Sequence, residues 1–174
     1  MFRAFLAVTL CLLLGPTLRG EPGEASRSSE RLDKIYAAGD RLTTRSVPHI
    51  EIDELAKKKN VLLLDARSRE EFRLSHLRGA QRVGYEDFDL KKLGGVPRSQ
   101  KIVVYCSIGY RSGEIGKQLQ SEGFKNVRNL RGGIFAWVTS GRLVVTGSGG
   151  QTERVHGFDE TWGQLLRPQH RASP

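Results

Sequence analysis

The sequence predicts an α/β fold whose mostly parallel central sheet is flanked by helices. Two strand-length segments, Val61–Leu64 and Ile102–Tyr105, are apolar along their whole length, as in strands buried on both faces. Helical patterns alternate with the strand-like segments, which is typical of parallel strands joined by helices. The chain has 174 residues, 38% of them hydrophobic, enough for one globular domain with tails. We expect this domain at residues 47–145.

Residues 1–20 are predicted to be a signal peptide. Arg3 supplies the positive charge, Ala4–Gly15 is apolar, and Pro16–Gly20 contains helix breakers. The apolar segment is shorter than the ~20 residues that a membrane-spanning helix needs. We therefore expect an exported protein, periplasmic or secreted, with no stable membrane insertion after cleavage. The alternative is a chain tethered to the membrane by an uncleaved N-terminus.

Residues 21–46 are polar and weakly patterned, as in a linker or a helical arm. Ser29 is a candidate cap for a short helix over 30–38, which Gly39 would end. In the domain itself, Asp53 is the predicted N-cap of a helix that runs through Lys58 and stops at Asn60.

The next elements follow from capping residues and apolar spacing. Ser68 is expected to cap a helix over Arg69–Leu74, and Gln81–Gly84 is a short strand. Apolar residues at helical spacing follow and end at a glycine- and proline-rich break, namely Phe88, Leu90 and Leu93 before Gly94–Pro97.

The second half of the domain repeats the alternation of strand and helix. We expect a helix from Ser112 to Glu122, a strand at Val127–Leu130, and a short helix after Gly132 and Gly133 that ends near Gly141.

Residues 146–174 are predicted to be a flexible linker followed by a tail. The composition of Thr146–Thr152 is that of a flexible segment. The tail at Arg154–Leu166 is too apolar to stay free in water, because it carries Phe158, Trp162 and two leucines. We expect it to pack back on the domain; the alternative is a motif that docks on a partner.

The chain carries a formal net charge of +9, but its basic residues are dispersed. Only Lys57–Lys59 forms a basic run, and no basic block is interleaved with aromatic residues. This pattern speaks against nucleic acid as a partner. Dispersed positive charge would still attract a small anionic substrate.

Cys106 is the candidate reactive residue. The chain has two cysteines, and Cys11 lies in the predicted signal peptide, so the mature protein would keep one thiol. Cys106 follows an apolar strand and precedes a short loop with Gly109, then Arg111 and a helix. Loop N–H groups, the positive end of that helix and the Arg111 guanidinium all favour a thiolate.

The loop is predicted to bind an anion, since successive N–H groups in so short a loop can converge on one group. Its candidate binding residues are Ser107, Ile108, Gly109, Tyr110, Arg111 and Ser112. Ser112 is expected to cap the helix or to donate to the sulfur. Asp65 ends the neighbouring strand and is expected to bind loop amides or an arginine. Arg67 is expected to pair with a carboxylate such as Glu71; the alternative places it at the mouth of the site.

Three segments together resemble the rhodanese family of sulfurtransferases. The first is Leu64–Arg67 followed by Glu71–Phe72 and His76–Ala80, and the second is the loop Cys106–Ser112. The third segment has similar C-terminal spacing: Gly123–Phe124, Asn126–Val127, Leu130, Gly132–Gly133 and Ala136–Trp137. The resemblance covers residues 47–142, a single rhodanese domain.

The resemblance implies a ping-pong transfer of sulfane sulfur. Cys106 would attack thiosulfate or a similar anionic donor, form a persulfide that the loop holds, and pass the sulfur to cyanide, a small thiol or a protein acceptor. Arg111 would bind the donor oxygens, and no metal or organic cofactor is implied. One alternative is a persulfide carrier or protein-binding module with little turnover. The other is a cysteine phosphatase of the same fold, although that loop is one residue longer.

Overall fold

The computed structural model describes residues 22–43 and 47–172, which form one α/β unit around a central sheet. The predicted signal peptide at 1–20 lies outside the described residues, as do 44–46 of the predicted arm. In the part of the chain that is described, no helix combines the length and apolar character needed to cross a membrane.

The central sheet has five strands: β1 (His49–Ile50), β2 (Leu62–Asp65), β3 (Gln81–Arg82), β4 (Lys101–Tyr105) and β5 (Asn126–Leu130). Their order is β1-β5-β4-β2-β3, and all of the pairings are parallel. This confirms the predicted, mostly parallel sheet. The very short strands β1 and β3 lie at its edges.

The sheet register places the carboxyl ends of three strands side by side. Asp65 of β2 pairs in register with Tyr105 of β4, and Val104 of β4 pairs with Asn129 of β5. Because the strands are parallel, the loops that follow them leave the sheet on the same side. The segment after β4 therefore begins between the ends of two neighbouring strands.

The helices cover both faces of the sheet and bury two apolar clusters. Ile35, Phe135 and Leu166 lie in one cluster, and Ile115 and Leu119 lie in the other. The helices are α1 (Pro22–Leu42), α2 (Ile52–Lys57), α3 (Arg69–Leu74), α4 (Tyr110–Ser121), α5 (Gly133–Thr139) and α6 (Glu160–Gly163), with short 3₁₀ turns at Leu90–Leu93 and Pro168–His170.

Helix α3 has the predicted bounds because its cap is local in sequence. The Ser68 hydroxyl accepts from the Glu71 backbone N–H, and the Glu71 carboxylate accepts from the Ser68 N–H. The prediction for α2 was wrong at its start. Glu51 is its N-cap, while Asp53 lies in the first turn and forms an ion pair with Arg142.

Helix α1 is longer than predicted and belongs to the domain. It runs from Pro22 to Leu42, and Ile35 is fully buried in the core that contains α5. Gly39 does not end the helix. A Cβ at that position would lie only 2.4 Å from the carbonyl oxygen of Ile108, so Gly39 allows close packing against the loop after β4.

The predicted flexible linker is instead a β-hairpin. Strands β6 (Val144–Val145) and β7 (Gln151–Thr152) pair antiparallel, and the Thr146 N–H donates to the Gly150 carbonyl across the turn. The tail then packs on the domain, where Val155 and Leu166 are fully buried. Glycine and serine in this segment serve a turn rather than a flexible connection.

Candidate active site

Cys106 is the first residue after β4, and its loop leads directly into α4. Gly109 caps the helix with a left-handed backbone (φ 118°), which turns its N–H back toward the cysteine. That N–H donates to the Cys106 Sγ at 3.1 Å. The cysteine is only 1% exposed, so its sulfur lies at the base of the site.

The N-terminus of α5 holds the loop from behind. Its Ile134 N–H donates to the Cys106 carbonyl at 2.9 Å, and its Phe135 N–H donates to the Ser107 carbonyl at 3.1 Å. In a trans peptide the N–H points opposite to the C=O, so the N–H groups of Ser107 and Ile108 face away from α5. Two carbonyls that would repel an anion are thereby turned away from the reacting side.

The close approach of α5 depends on a glycine. Gly133 has φ 56°, and a Cβ there would lie 2.3 Å from the Cys106 carbonyl oxygen. The paired glycines that the sequence marks as a turn therefore bring helix N–H groups against the cysteine loop.

Asn129 fixes the other end of the loop, and the sequence analysis missed it. Its Nδ2 donates to the Gly109 carbonyl at 2.8 Å, and its Oδ1 lies 2.8 Å from the Ser112 hydroxyl. No local signal was available, because Asn126 and Arg128 of the same strand are also polar and are exposed. The Ser112 hydroxyl is also 3.1 Å from the Gly109 carbonyl, so it supports the loop rather than the sulfur. The prediction that Ser112 caps the helix was wrong, because α4 begins at Tyr110 and Gly109 is its N-cap.

Arg111 is bound to Glu71 by two parallel hydrogen bonds. Its Nη1 and Nη2 donate to the two carboxylate oxygens at 2.7 and 2.8 Å, and Nη2 also donates to the Ser107 hydroxyl at 3.0 Å. The predicted pairing of Glu71 with Arg67 is therefore wrong. Glu71 lies on α3 and reaches across to the cysteine loop, so it ties the two elements together.

Glu71 and Arg111 stabilise each other's charged forms. Burial acts to raise the pKa of Glu71, but the hydrogen bond and positive charge of Arg111 outweigh it and hold that pKa at about 2. Burial acts to lower the pKa of Arg111, yet the Glu71 hydrogen bond and the charge interactions with Cys106 and Glu71 raise it. Both side chains are charged at neutral pH, and Arg111 lies close enough to Cys106 for a charge interaction.

Arg67 forms a second buried pair, with Asp65. Its Nε and Nη2 donate to the Asp65 carboxylate at 3.0 and 2.7 Å, and Asp65 also accepts from the Arg67 backbone N–H at 2.9 Å. Both side chains are inaccessible to solvent, so Arg67 does not line the mouth of the site. The pair stabilises the end of β2 beside the cysteine loop.

A cleft of about 810 Å³ opens above Cys106 and is lined by Ser107, Ile108, Tyr110 and Arg111 of the loop. Tyr110, one of the predicted binding residues, is exposed there, and its ring centroid lies 6.5 Å from that of Tyr85. The C-terminal tail supplies another wall, through His156, Phe158 and Trp162. The sequence predicted that this tail packs on the domain, but not where.

The arrangement suits nucleophilic chemistry at sulfur. A thiol at the base of a cleft lies under a backbone N–H donor, with a guanidinium at the wall. Within residues 22–43 and 47–172, no group of His, Cys, Asp and Glu side chains is arranged to hold a metal ion.

Comparison with known proteins identifies related sequences. Residues 49–140 match the family described as the rhodanese-like domain. A sulfurtransferase of Allochromatium vinosum is 32% identical over 95 residues, which cover 55% of this chain and 88% of that protein. A thiosulfate sulfurtransferase of Coxiella burnetii is 26% identical over 96 residues, which cover 53% of this chain and 86% of that protein.

The similarity also extends to larger proteins and to solved structures. A tRNA uridine(34) hydroxylase of Bacillus pumilus is 31% identical over 101 residues, but the match covers only 31% of that protein. The crystal structure of a rhodanese-related protein from Thermoplasma volcanium aligns with a TM-score of 0.51 and 26% identity, over 56% of this chain and 97% of that one. The family match falls on the central domain.

Proposed function

Since the chain belongs to the rhodanese-like domain family, we propose that it is a sulfurtransferase that carries sulfane sulfur as a persulfide on Cys106. The observation that carries the proposal is the 3.1 Å hydrogen bond from the Gly109 N–H to the Cys106 Sγ. It aims a backbone donor at the atom that carries the negative charge in the thiolate, both before the sulfur is loaded and after it has been passed on.

In the loading step, the Cys106 thiolate attacks the outer sulfur of thiosulfate or a similar anionic donor. The bond between the two donor sulfurs breaks, sulfite leaves with its electron pair, and Cys106 becomes a persulfide anion. The charge is conserved, because the thiolate and the persulfide are both monoanions, and thiosulfate and sulfite are both dianions. The sulfurtransferases of Allochromatium vinosum and Coxiella burnetii support this reaction class.

Arg111 is the proposed binding residue for the donor oxygens. Its guanidinium has five N–H donors, of which three are used by Glu71 and Ser107. The remaining donors and the charge are available at the cleft wall that Arg111 lines. Glu71 holds the guanidinium in one orientation, which lowers the entropic cost of binding an anion there.

In the unloading step, cyanide or a thiol removes the outer sulfur. With cyanide, the carbon attacks the terminal sulfur, the sulfur–sulfur bond breaks, and thiocyanate and the Cys106 thiolate form. Cys106 is the only cysteine among the residues that the structure describes. An external acceptor, a small thiol or a protein thiol, therefore completes the cycle.

A persulfide carrier is the second candidate, because Cys106 is 1% exposed and the cleft is shared with the tail. Such a protein takes up sulfur but turns over slowly. A phosphatase is disfavoured by the loop, which has four residues between Cys106 and Arg111.

Turnover with thiosulfate and cyanide tests the proposal. We expect thiocyanate to form with the wild type and to be lost in Cys106→Ser. The Cys106→Ser variant adds one hydroxyl in place of a thiol, so its fold is checked by its unfolding transition. Sulfur uptake without turnover would favour the carrier. Cleavage of an aryl phosphate that is lost in the variant would favour the phosphatase.

Export is the proposed location, since Ala4–Gly15 is apolar and follows Arg3. N-terminal sequencing of the protein from expressing cells is expected to begin near Glu21. A full-length chain in the membrane fraction would favour the tether instead.

A further inference from the structure

The exposed large apolar side chains of this protein are concentrated at one place. In the described residues there are four of them: Leu42, Tyr110, Leu143 and Phe158. All but Leu143 line the cleft above Cys106, and Tyr85 and Trp162 add two more aromatic walls. Apolar groups gathered around a cavity mark a binding site, whereas the same groups scattered singly would need no explanation.

The segments before and after the family-matched residues 49–140 form much of this apolar surface. Leu42 is the last residue of α1, and Phe158 and Trp162 belong to the tail, all of them outside the matched segment 49–140. The proposed reaction at Cys106 requires none of these three side chains. Their position above the Cys106 thiol points to a function in substrate selectivity.

Phe158 is held in place against the site. Its backbone has φ 69°, which is unusual for a bulky side chain, and its N–H donates to the His156 Nδ1 at 3.0 Å. The Arg111 guanidinium lies 4.8 Å from the centroid of its ring. The flanking tail is anchored by the fully buried Val155 and Leu166, so the ring is presented by a fixed segment.

The size of the cleft exceeds what the small substrates need. About 810 Å³ lies within the range of sites for drug-sized ligands, whereas thiosulfate and cyanide fill only a small part of such a volume. A larger molecule is therefore the natural occupant of the space beyond the sulfur.

The charges around the cleft do not favour a strongly anionic occupant. Three arginines line it, against four carboxylates, a net charge of minus one. Arg82 is paired with Asp87 and Arg111 with Glu71, which leaves Arg69 to balance Glu70 and Glu86. His156 accepts a hydrogen bond at Nδ1 from the Phe158 N–H. The cleft as a whole thus has no excess of positive charge, and its outer walls are largely apolar.

We propose that the cleft binds the sulfur acceptor, and that this acceptor is a small thiol with an apolar, uncharged body. The inference rests on the proposed sulfurtransferase function and specifies its second half. The acceptor thiol gives its proton to the Cys106 persulfide anion, and the resulting thiolate attacks the outer sulfur of the protonated persulfide. The sulfur–sulfur bond breaks, the acceptor leaves as a hydropersulfide, and Cys106 returns to a thiolate; atoms and charge balance without another reactant.

Acceptor kinetics test the inference. Thiosulfate serves as donor, and benzyl mercaptan, 2-mercaptoethanol, 3-mercaptopropionate and cyanide serve as acceptors, with hydropersulfide alkylated and quantified by mass. We expect kcat/KM for benzyl mercaptan to exceed the values for the other two thiols by about tenfold, the effect of burying part of a phenyl ring.

Variants of the cleft wall identify the residues responsible. Phe158→Ala is expected to lower the ratio of kcat/KM for benzyl mercaptan to that for cyanide by about tenfold. Leu42→Ala provides a second cleft variant on another element, expected to lower the same ratio. Leu143→Ala is the matched control, because it removes an equally exposed apolar side chain outside the cleft, and it leaves the ratio unchanged.

Two results would overturn the inference. One is equal use of the three thiols by the wild type. The other is that Phe158→Ala and Leu42→Ala both give the same ratio of kcat/KM for benzyl mercaptan to kcat/KM for cyanide as Leu143→Ala. Thiocyanate production by the wild type in the same assay distinguishes failure of the acceptor inference from failure of the proposed sulfurtransferase function. If it is present, only the acceptor inference fails; if it is absent, the proposed function fails with it.

Discussion

Two arginine–carboxylate pairs lie near the carboxyl ends of the central strands, and they differ in what surrounds them. In the Asp65–Arg67 pair both side chains are 0% exposed. In the Glu71–Arg111 pair the arginine is 14% and the glutamate 4% exposed, at the wall of the cleft above Cys106. The chemistry of the two pairs is the same, but only the second pair can touch a substrate.

The two ion pairs also differ in the elements that they join. Asp65 and Arg67 lie two residues apart, so their pair stabilises a local turn and binds the Ser75 carbonyl behind the site. Glu71 and Arg111 lie on α3 and α4, so their pair connects two helices across the cysteine loop. The first pair is a supporting structure, whereas the second orients a group that still has free donors.

Breaking the fully enclosed pair is expected to have the largest effect on stability. Asp65→Ala leaves the Arg67 charge buried without its partner, which costs about 3–5 kcal/mol of unfolding free energy. Urea unfolding at neutral pH measures this loss. Asp87→Ala is the control, because it breaks a pair with Arg82 in which Asp87 is half-exposed, and its expected cost is below about 1 kcal/mol. Equal costs for the two variants would contradict the distinction.

The Glu71–Arg111 pair is expected to make stability depend on acid. The pKa of Glu71 is lowered from 4.5 to about 2, so its contribution is present above pH 4.5 and is lost as the pH falls toward 2. The shift corresponds to about 3 kcal/mol at neutral pH. Urea unfolding of the wild type and Glu71→Gln at a series of pH values measures this term. The variant is expected to be less stable at neutral pH and to lose less in acid, whereas parallel pH profiles would contradict the pairing.

Arg111→Lys tests whether the partly exposed pair also serves binding. Lysine keeps the charge but loses the two parallel hydrogen bonds, so we expect KM for thiosulfate to rise about tenfold while KM for cyanide changes much less. Steady-state kinetics with each substrate varied in turn measures the split. An equal rise for both substrates would indicate general damage to the loop rather than loss of donor binding.

The smallest expected effect concerns the loop support at the end of β5. Asn129→Ala removes the hydrogen bond to the Gly109 carbonyl and costs about 1 kcal/mol of stability. We expect kcat for thiocyanate formation to fall with it, since the Gly109 N–H faces the sulfur. Asn126→Ala on the same strand is the control, because Asn126 is exposed and binds the distant Ser99 carbonyl. A kcat lowered equally in both variants would contradict a specific role for Asn129.

The sequence predicted elements whose signals are local. Strands β2 and β4 follow from apolar runs, and α3 follows from the capping box at Ser68 and Glu71. The predicted end of α1 at Gly39 was wrong because the glycine serves tertiary packing against Ile108. The glycine-rich segment at 146–152 was misinterpreted because the same residues favour tight turns and flexible connections.

The residues of the candidate site also divide into those that local sequence predicts and those that only tertiary packing brings together. The cysteine, its glycine and its arginine lie within one short segment, so their proximity follows from the chain itself. Which carboxylate pairs with which arginine depends on the packing of α3 against the loop, and Asp65 and Glu71 are both near Arg67 in sequence. Asn129 and Phe158 reach the site only through the sheet and the fold of the tail, so no local pattern could identify them.

The intact mass of the protein after thiosulfate treatment is the most direct test of Cys106 as a sulfur acceptor. We expect the wild-type chain to gain the mass of one sulfur atom and to lose it again when cyanide is added. Cys106→Ser is expected to gain nothing under the same conditions. An unchanged wild-type mass, or an equal gain in Cys106→Ser, would contradict the persulfide on Cys106 and the sulfurtransferase function that rests on it.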